Sequence, residues 1–552
     1  MWLKILNLKP AKKKAQALIL AYMVIASFVV LLLPLLEKIF SENFILNRQR
    51  LQREASYYAE GGIEDGINWF ITRIANFQSS LDTPTPISNT SIYANGASVT
   101  WTINSFIPKA TIIDTDGTTR VIVRPYIFTS TCQHPLNANI SVTVQQVALI
   151  RLTGAFQYAV FYNDDLEIFP GKPMIFTGRI FSNKDMYLGS DGSTLTVGNA
   201  YLKGAANIYN ARKDGGTNAD GTVSIEVAGS SPLRYVNMHN PGFPYPNPLD
   251  STDTNWLSDS QNAWNGTVET SANGMTKKAV PVVGNIAPGG YYNNNAGIVV
   301  TNGTITYNGT TLTQSATPGT NKIPTGTIVT SSNVVYDARE GAYINMTTID
   351  LQKLGAVGSY AGYTNYLQQN ASGLLYATNS NTHPGVRLVN GSQINSAAAG
   401  LTVVTNDPLY IQGNYNNVAG VPSAVICDSV NLLSNSWNDA NSAGGIGVRV
   451  ASATTINTAF IAGVDTTAAG RYNGGLENYP RLLEDWSSKN LNISGAFVEL
   501  WNTQVAQGRW PNTGTVYNPP NRFWAYDANL ANNPPPFTPW AVEAQRGAWW
   551  KS

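Results

Sequence analysis

Apolar and polar positions divide the chain into regions of different periodicity. Ala17–Leu36 (ALILAYMVIASFVVLLLPLL) carries no charge over twenty residues. At about 1.5 Å per residue that helix reaches roughly 30 Å, the depth of a bilayer's hydrocarbon core. A cleaved secretory signal has a shorter apolar stretch of about 7–15 residues and a small-residue cleavage site. Here Glu37-Lys38-Ile39-Phe40 follows instead, so the pattern predicts a retained membrane helix over a buried soluble one. Pro34 lies within the span, removes one backbone donor and predicts a kink. Farther on, Ile63, Ile67, Phe70, Ile74 and Phe77 are spaced 4, 3, 4, 3, one apolar stripe on a helix. Gly61-Gly62 weakens that helix by about 1 kcal/mol per glycine. Leu81-Asp82-Thr83-Pro84-Thr85-Pro86 ends it. One element over 16–80 is expected, lipid-soluble in its first half and amphipathic in its second.

The period then shortens. Residues 88–152 read as a small antiparallel sheet. Val99-Thr100-Trp101-Thr102-Ile103 and Arg120-Val121-Ile122-Val123 flank a turn at Asp114-Thr115-Asp116-Gly117, and Ile140–Val144 alternates. From 155 to 500, short apolar triplets such as Ile180-Phe181, Met186-Tyr187-Leu188 and Leu409-Tyr410-Ile411 are separated by Gly, Asn and Asp. Short strands with turn residues between them fit a β-solenoid or a β-sandwich, and the Asn-rich turns favour the solenoid's stacked corners. Residues 231–395 are looser and read as an irregular insertion with one helix near Thr348–Leu354. Residues 501–552 contain Trp501, Trp510, Trp524, Trp540, Trp549 and Trp550, with Pro519-Pro520 and Pro534-Pro535-Pro536. They read as an extended tail laid over the end of the body, its rings capping the core or offering a surface for glycan or partner. The fold class expected is mainly β with one long N-terminal α-helix.

Charge adds orientation. Charged residues make up 12% of the chain, about half the usual share, which suits an extracellular β-protein. Net charge is +1, so no global field draws nucleic acid, and no nucleic-acid partner is expected. Lys4, Lys9, Lys12, Lys13 and Lys14 precede the apolar run. By the positive-inside rule they keep the N-terminus cytoplasmic and the bulk outside, although Arg48, Arg50 and Arg53 on the far side weaken the bias.

Candidate chemistry is sparse. Asp164-Asp165-Glu167, Asp220 with Glu226, and Glu484-Asp485 are the carboxylates that a glycoside-cleaving pair could use, but no spacing joins them. Asp214–Asp220 with Glu226 echoes a calcium loop imperfectly, with Gly216 at a ligand position and Ala219 at the sharp turn. A glycine-rich turn is the plainer reading. Cys132 and Cys427 could be a disulfide or two free thiols. His134, His239 and His383 are scattered. No catalytic, cofactor or metal residue is assigned.

Lys14-Ala15-Gln16-Ala17-Leu18-Ile19-Leu20-Ala21 and the later Tyr58-Ala59-Glu60-Gly61-Gly62-Ile63-Glu64-Asp65-Gly66-Ile67 resemble the N-terminal region of PilX-type minor pilins within the type IV pilin class. The resemblance covers residues 12–78. It implies a basic leader (1–15) cut by prepilin peptidase between Ala15 and Gln16. It also implies a helix that anchors in membrane lipid through Ala17, Leu18, Leu20, Met23, Phe28, Pro34 and Leu36, then packs against other pilins or pseudopilins in a filament, with the small sheet as a pilin head. Segments 166–190, 409–439 and 472–510 resemble large PilX-like bacterial proteins with a β-helical body. Two residues depart from the family pattern: Ala15 stands where glycine is usual, and no glutamate occurs between Gln16 and Leu36. The second departure argues against a shaft subunit and for a place at or near the tip. The alternatives are a GspK-type tip subunit of type II secretion and a permanently anchored glycan-binding or glycan-cleaving protein.

Overall fold

A computed structural model describes residues 9–114, 117–199, 201–215, 219–418, 420–467, 471–510 and 515–552. The first eight residues of the leader, Thr115 and Asp116 of the expected turn, and Gly216–Asn218 of the calcium-like loop lie outside the described residues. The chain is mainly β, with 38% strand against 21% helix, and most of the helix is one element.

That element, α1 (Lys9–Ala75), runs unbroken through Pro34 and the glycines. Leu51, Ala55, Ala59, Ile63, Ile67, Phe70 and Ile74 are buried, which extends the apolar stripe twelve residues upstream of where the pattern first declares itself. It packs on an antiparallel sheet of β1 (Ile87–Ile92), β2 (Ser98–Ser105), β3 (Ala110–Ile113), β4 (Arg120–His134) and β5 (Asn137–Gly154). Alternation in β4 and β5 sends Tyr126, Phe128, Val144, Ala148 and Ile150 to the helix face, all fully or almost fully buried. Phe77 is not the last rung of the helical stripe. It follows the helix end at φ 59° and stacks on Tyr291, ring centroids 3.8 Å apart. The helix expected near Thr348–Leu354 is shorter, Leu351–Leu354, because Ala342–Asp350 is a strand.

The sheet's sixth strand comes from the other end of the chain. Trp540–Lys551, here β6, pairs antiparallel with β5 from Trp540↔Gly154 to Lys551↔Val144, giving the order β1-β2-β4-β5-β6 with β3 on β4. The tail therefore does not end draped over the body. Trp501 and Trp524 are buried, Trp524 stacking on Phe497 at 5.0 Å, whereas Trp549 and Trp550 stand exposed on β6. Residues 155–539 are an insertion between two neighbouring strands.

Within that insertion nearly all strand pairing is parallel. Val160, Ile180, Leu202 and Val268 are successive register partners, as are Leu166, Met186 and Ile208 on a second sheet. A later run stacks Ile298, Leu375, Val403, Val425, Phe460 and Phe497 in the same way, and Phe497 then pairs with Val160. The first four and the last six of these strands lie in one twelve-stranded sheet, in which the second run rejoins the first at its beginning; Thr304–Tyr307 and Thr310–Thr311 complete it as antiparallel strands at the far edge. Partners in a column are buried in a single core, so each apolar residue packs on the equivalent residue of the next strand, about 4.8 Å away. The stretch read as an irregular insertion, 231–395, supplies strands to this sheet and to a second six-stranded one. Cys132 and Cys427 are free thiols buried in different cores.

Candidate membrane and assembly site

The helix divides sharply at Leu51. Every described side chain from Lys14 to Arg50 is exposed, whereas from Leu51 onward one face is covered by the sheet. Ala15, Gln16 and Ala17 lie on this exposed part, with Leu18 61%, Leu20 65%, Met23 65%, Phe28 63% and Leu36 45% accessible. The segment is long and apolar enough to cross a membrane, its mean hydropathy reaching 2.7 with none of that window buried. Fully burying one such side chain is worth about 1.5–3 kcal/mol, so more than a dozen of them exposed to water on one helix carry a large cost. Ser27 satisfies its hydroxyl by donating to the Met23 carbonyl at 2.7 Å.

Five large apolar residues missed by the hydropathy reading continue past the span. Ile39, Phe40, Phe44, Ile45 and Leu46 are 43–70% exposed, among charges that partly pair along the helix as Lys38–Glu42 and Arg50–Glu54. Their signal was diluted by Glu37, Lys38 and Glu42. About 22 Å of helix separates Leu36 from Leu51; with 17–36 in a bilayer's hydrocarbon core, Ile39 and Phe40 reach the headgroup zone and Phe44, Ile45 and Leu46 lie beyond it.

The Ala59–Ile67 motif is used to seat the helix. An added Cβ on Gly62 would fall 2.3 Å from Ser130 Oγ and 2.5 Å from Val99 Cγ1, and on Gly66 3.3 Å from the Trp101 ring. These glycines let the helix approach the sheet, a reason stronger than their helix-weakening cost. The carboxylates of the motif hold the edges. Asp65 accepts from Tyr93 Oη at 3.0 Å, Glu64 binds Arg546 of β6 through both oxygens, and nearly three turns earlier Glu54 meets His134 at 3.0 Å. At the sheet's other end Glu543 of β6 takes Arg151 and Lys278. Burial pushes its carboxyl up, but those two cations hold it below its ordinary value.

The carboxylates considered for glycoside cleavage fall in separate places, and most are held by cations or amides. Asp164 pairs with Lys184 at 2.8 Å and Asp165 with Lys213 at 2.7 Å. Glu167 accepts from the Lys213 amide, Glu226 from the Asn199 amide, and Asp214 pairs with Arg212. Glu484 accepts from the Ser434 amide and hydroxyl, and Asp485 from the Ser487 amide and Asn518. Burial pushes Glu167, Glu477 and Glu484 up to about 7 and Glu499 up to about 8. Glu499, fully within the core, accepts from the Asn163 and Asp164 amides and ties the strand Phe497–Glu499 to the turn after Val160–Tyr162. Among the described residues no group of three or more metal-binding side chains comes together.

No protein-family model, curated protein or solved structure matches the chain.

Proposed function

We propose that this chain is a large minor pilin or pseudopilin of PilX type, carried at or near the end of a type IV-like filament. The observation that carries this reading is the division of one continuous helix at Leu51. Below it a bare apolar half needs a bilayer or other helices, and above it an amphipathic half is sealed under an antiparallel sheet. Phe44, Ile45 and Leu46 favour helix neighbours over a lone anchor, since a bilayer around residues 17–36 would leave them in water. In this reading prepilin peptidase cuts between Ala15 and Gln16, and the helix rests in the cytoplasmic membrane with its N-terminus inside. It then leaves the lipid for a bundle of pilin helices, taking the body to the cell surface. The role is structural.

We also read the body as a β-solenoid. The column registers from Val160 to Val268 and from Ile298 to Phe497 support that architecture over a sandwich, whose sheets are antiparallel.

The deciding measurement is the N-terminal residue of the mature protein by mass spectrometry in a strain with active prepilin peptidase. Gln16 is expected. A protein still starting at Met1 overturns the filament reading and leaves a permanently anchored protein.

A further inference from the structure

We infer that the groove between the parallel sheet and the 527–536 segment binds an extended, uncharged glycan. The groove has a volume of about 890 Å3. Its floor is built from Ser372, Ala399, Ser423 and Thr458, at or just before the starts of four adjacent strands of the twelve-stranded sheet, and from Ser494, on the strand Asn490–Gly495 of a neighbouring sheet just before the fifth strand, Phe497–Glu499. Five strands span roughly 19 Å from first to last, a long narrow bed and not a spherical cavity. Small side chains line that bed, so a chain of rings can lie close to the backbone along it.

The chemistry of the walls selects the ligand. Among the described residues that line the groove, Asp527 is the one charged side chain, and its carboxylate already accepts the Asn529 amide at 3.0 Å. An acidic or basic polymer finds no counter-charges there. Asn529, Asn532 and Asn533 are exposed along the wall, and each side-chain amide offers two donors and an acceptor. Paired donors and acceptors without net charge match sugar hydroxyls, which donate and accept at one atom. The wall is fixed in place: Leu530 is buried and the Pro536 carbonyl accepts from Thr402 Oγ1.

Across the Pro534–Pro536 ridge lies a second recess of about 570 Å3, where Phe77, Tyr291, Phe537 and Trp540 stand half-buried. Aromatic faces of this kind bind the C–H faces of sugar rings while remaining partly wetted. A polar bed beside an aromatic shelf fits a glycan better than a peptide, because Ser372, Ala399, Ser423, Thr458 and Ser494 make the floor small and largely polar.

Binding of neutral hexasaccharides of glucose, N-acetylglucosamine and galactose to the full chain in detergent, measured by calorimetry, tests this. Hexagalacturonate and a decaproline peptide serve as comparisons. At least one neutral hexasaccharide is expected to bind, its disaccharide at least tenfold more weakly. Ser494→Trp, which fills the bed, should reduce binding at least tenfold. Asn533→Ala, at an exposed position where folding is not at stake, should reduce it several-fold, and the remote Trp549→Ala should leave it unchanged. Binding by no neutral hexasaccharide, tighter binding of the acidic glycan or the peptide, or unaltered binding by both groove variants overturns the inference. None of these outcomes depends on where the N-terminus is cut.

Discussion

Glu64 on the helix and Arg546 on β6 form a two-pronged ion pair between residues 482 positions apart. Both side chains are more than two-fifths exposed, so the pair itself contributes little, of the order of 0–1 kcal/mol. Its importance is positional, because it joins the last strand of the chain to the first element. Arg546→Ala should therefore lower the unfolding midpoint only slightly. Removing residues 540–552 should do far more, since it bares the β5 edge and leaves Arg151 and Lys278 without Glu543. Limited proteolysis should then cut within 137–154, where the full chain resists.

Gly61 and Gly62 should respond oppositely to the same change. Alanine normally gains about 1 kcal/mol over glycine inside a helix. At Gly61 the nearest obstacle is the end of the long Tyr93 side chain, so Gly61→Ala should be near neutral. At Gly62 the new methyl meets Ser130 and Val99 on the sheet, and Gly62→Ala should cost about 1–3 kcal/mol through overpacking. Thermal unfolding of both variants in detergent distinguishes them.

Buried carboxylates set a pH dependence. Glu499 has an ordinary value of 4.5 and sits at about 8 in the fold. Between those values the folded state holds a proton that the unfolded state has lost, so stability falls as pH rises through this window. Glu167, Glu477 and Glu484 act in the same direction up to about 7. The unfolding midpoint should be several degrees higher at pH 5 than at pH 8. Glu499→Gln keeps a carbonyl oxygen for the Asn163 and Asp164 amides and cannot ionise, so it should flatten part of that slope. An equal slope in the variant would assign the effect to the other carboxylates.

Orientation across the membrane is open to thiol labelling, because Cys132 and Cys427 are buried and should stay silent. Ser88→Cys is exposed and should react with an impermeant reagent in intact spheroplasts, whereas Asn7→Cys should not. Labelling at Asn7 alone reverses the topology.

In a filament the protein should sit at an end. Compact scaling gives a radius of gyration of roughly 23 Å for 475 residues against roughly 15 Å for a 150-residue head. Core helices pack about 8–10 Å apart, so a body this large would collide with subunits above and below. Immunogold labelling of sheared filaments should mark ends; regular labelling along the shaft contradicts the placement.

The helix and the first sheet were legible because their contacts are local or regularly spaced. Ile63, Ile67, Phe70 and Ile74 reveal their buried face through spacing alone, and β4 and β5 alternate. Short apolar triplets likewise revealed the body's strands, but not their order. Nothing around Phe497 indicates that it lies on Val160, since parallel pairing leaves no turn between partners. β6 was hidden for a related reason. Ala541, Val542 and Ala544 are apolar, yet the pairing partner lies nearly four hundred residues away, and Trp and Pro residues around it resemble a loose tail. The glycines at 61, 62 and 66 were visible, but their function depends on side chains of β2 and β4 that only the folded sheet brings near.

Because Trp540 is the register partner of Gly154, and the Pro539 carbonyl accepts from the Ala155 amide at 2.9 Å, the body leaves the sheet and returns to it at a single point. Tension applied along the helix therefore passes from α1 into the sheet without running through the chain of the body. A pull loads the long β4–β5–β6 ladders, while the body, tied to them through the Ala279–Val542 bridge and to the helix end through Tyr291 on Phe77, is braced at its side. The same geometry makes the body exchangeable: a short loop from Gly154 to Trp540 would close the sheet, and a different insert could take its place without altering the helix.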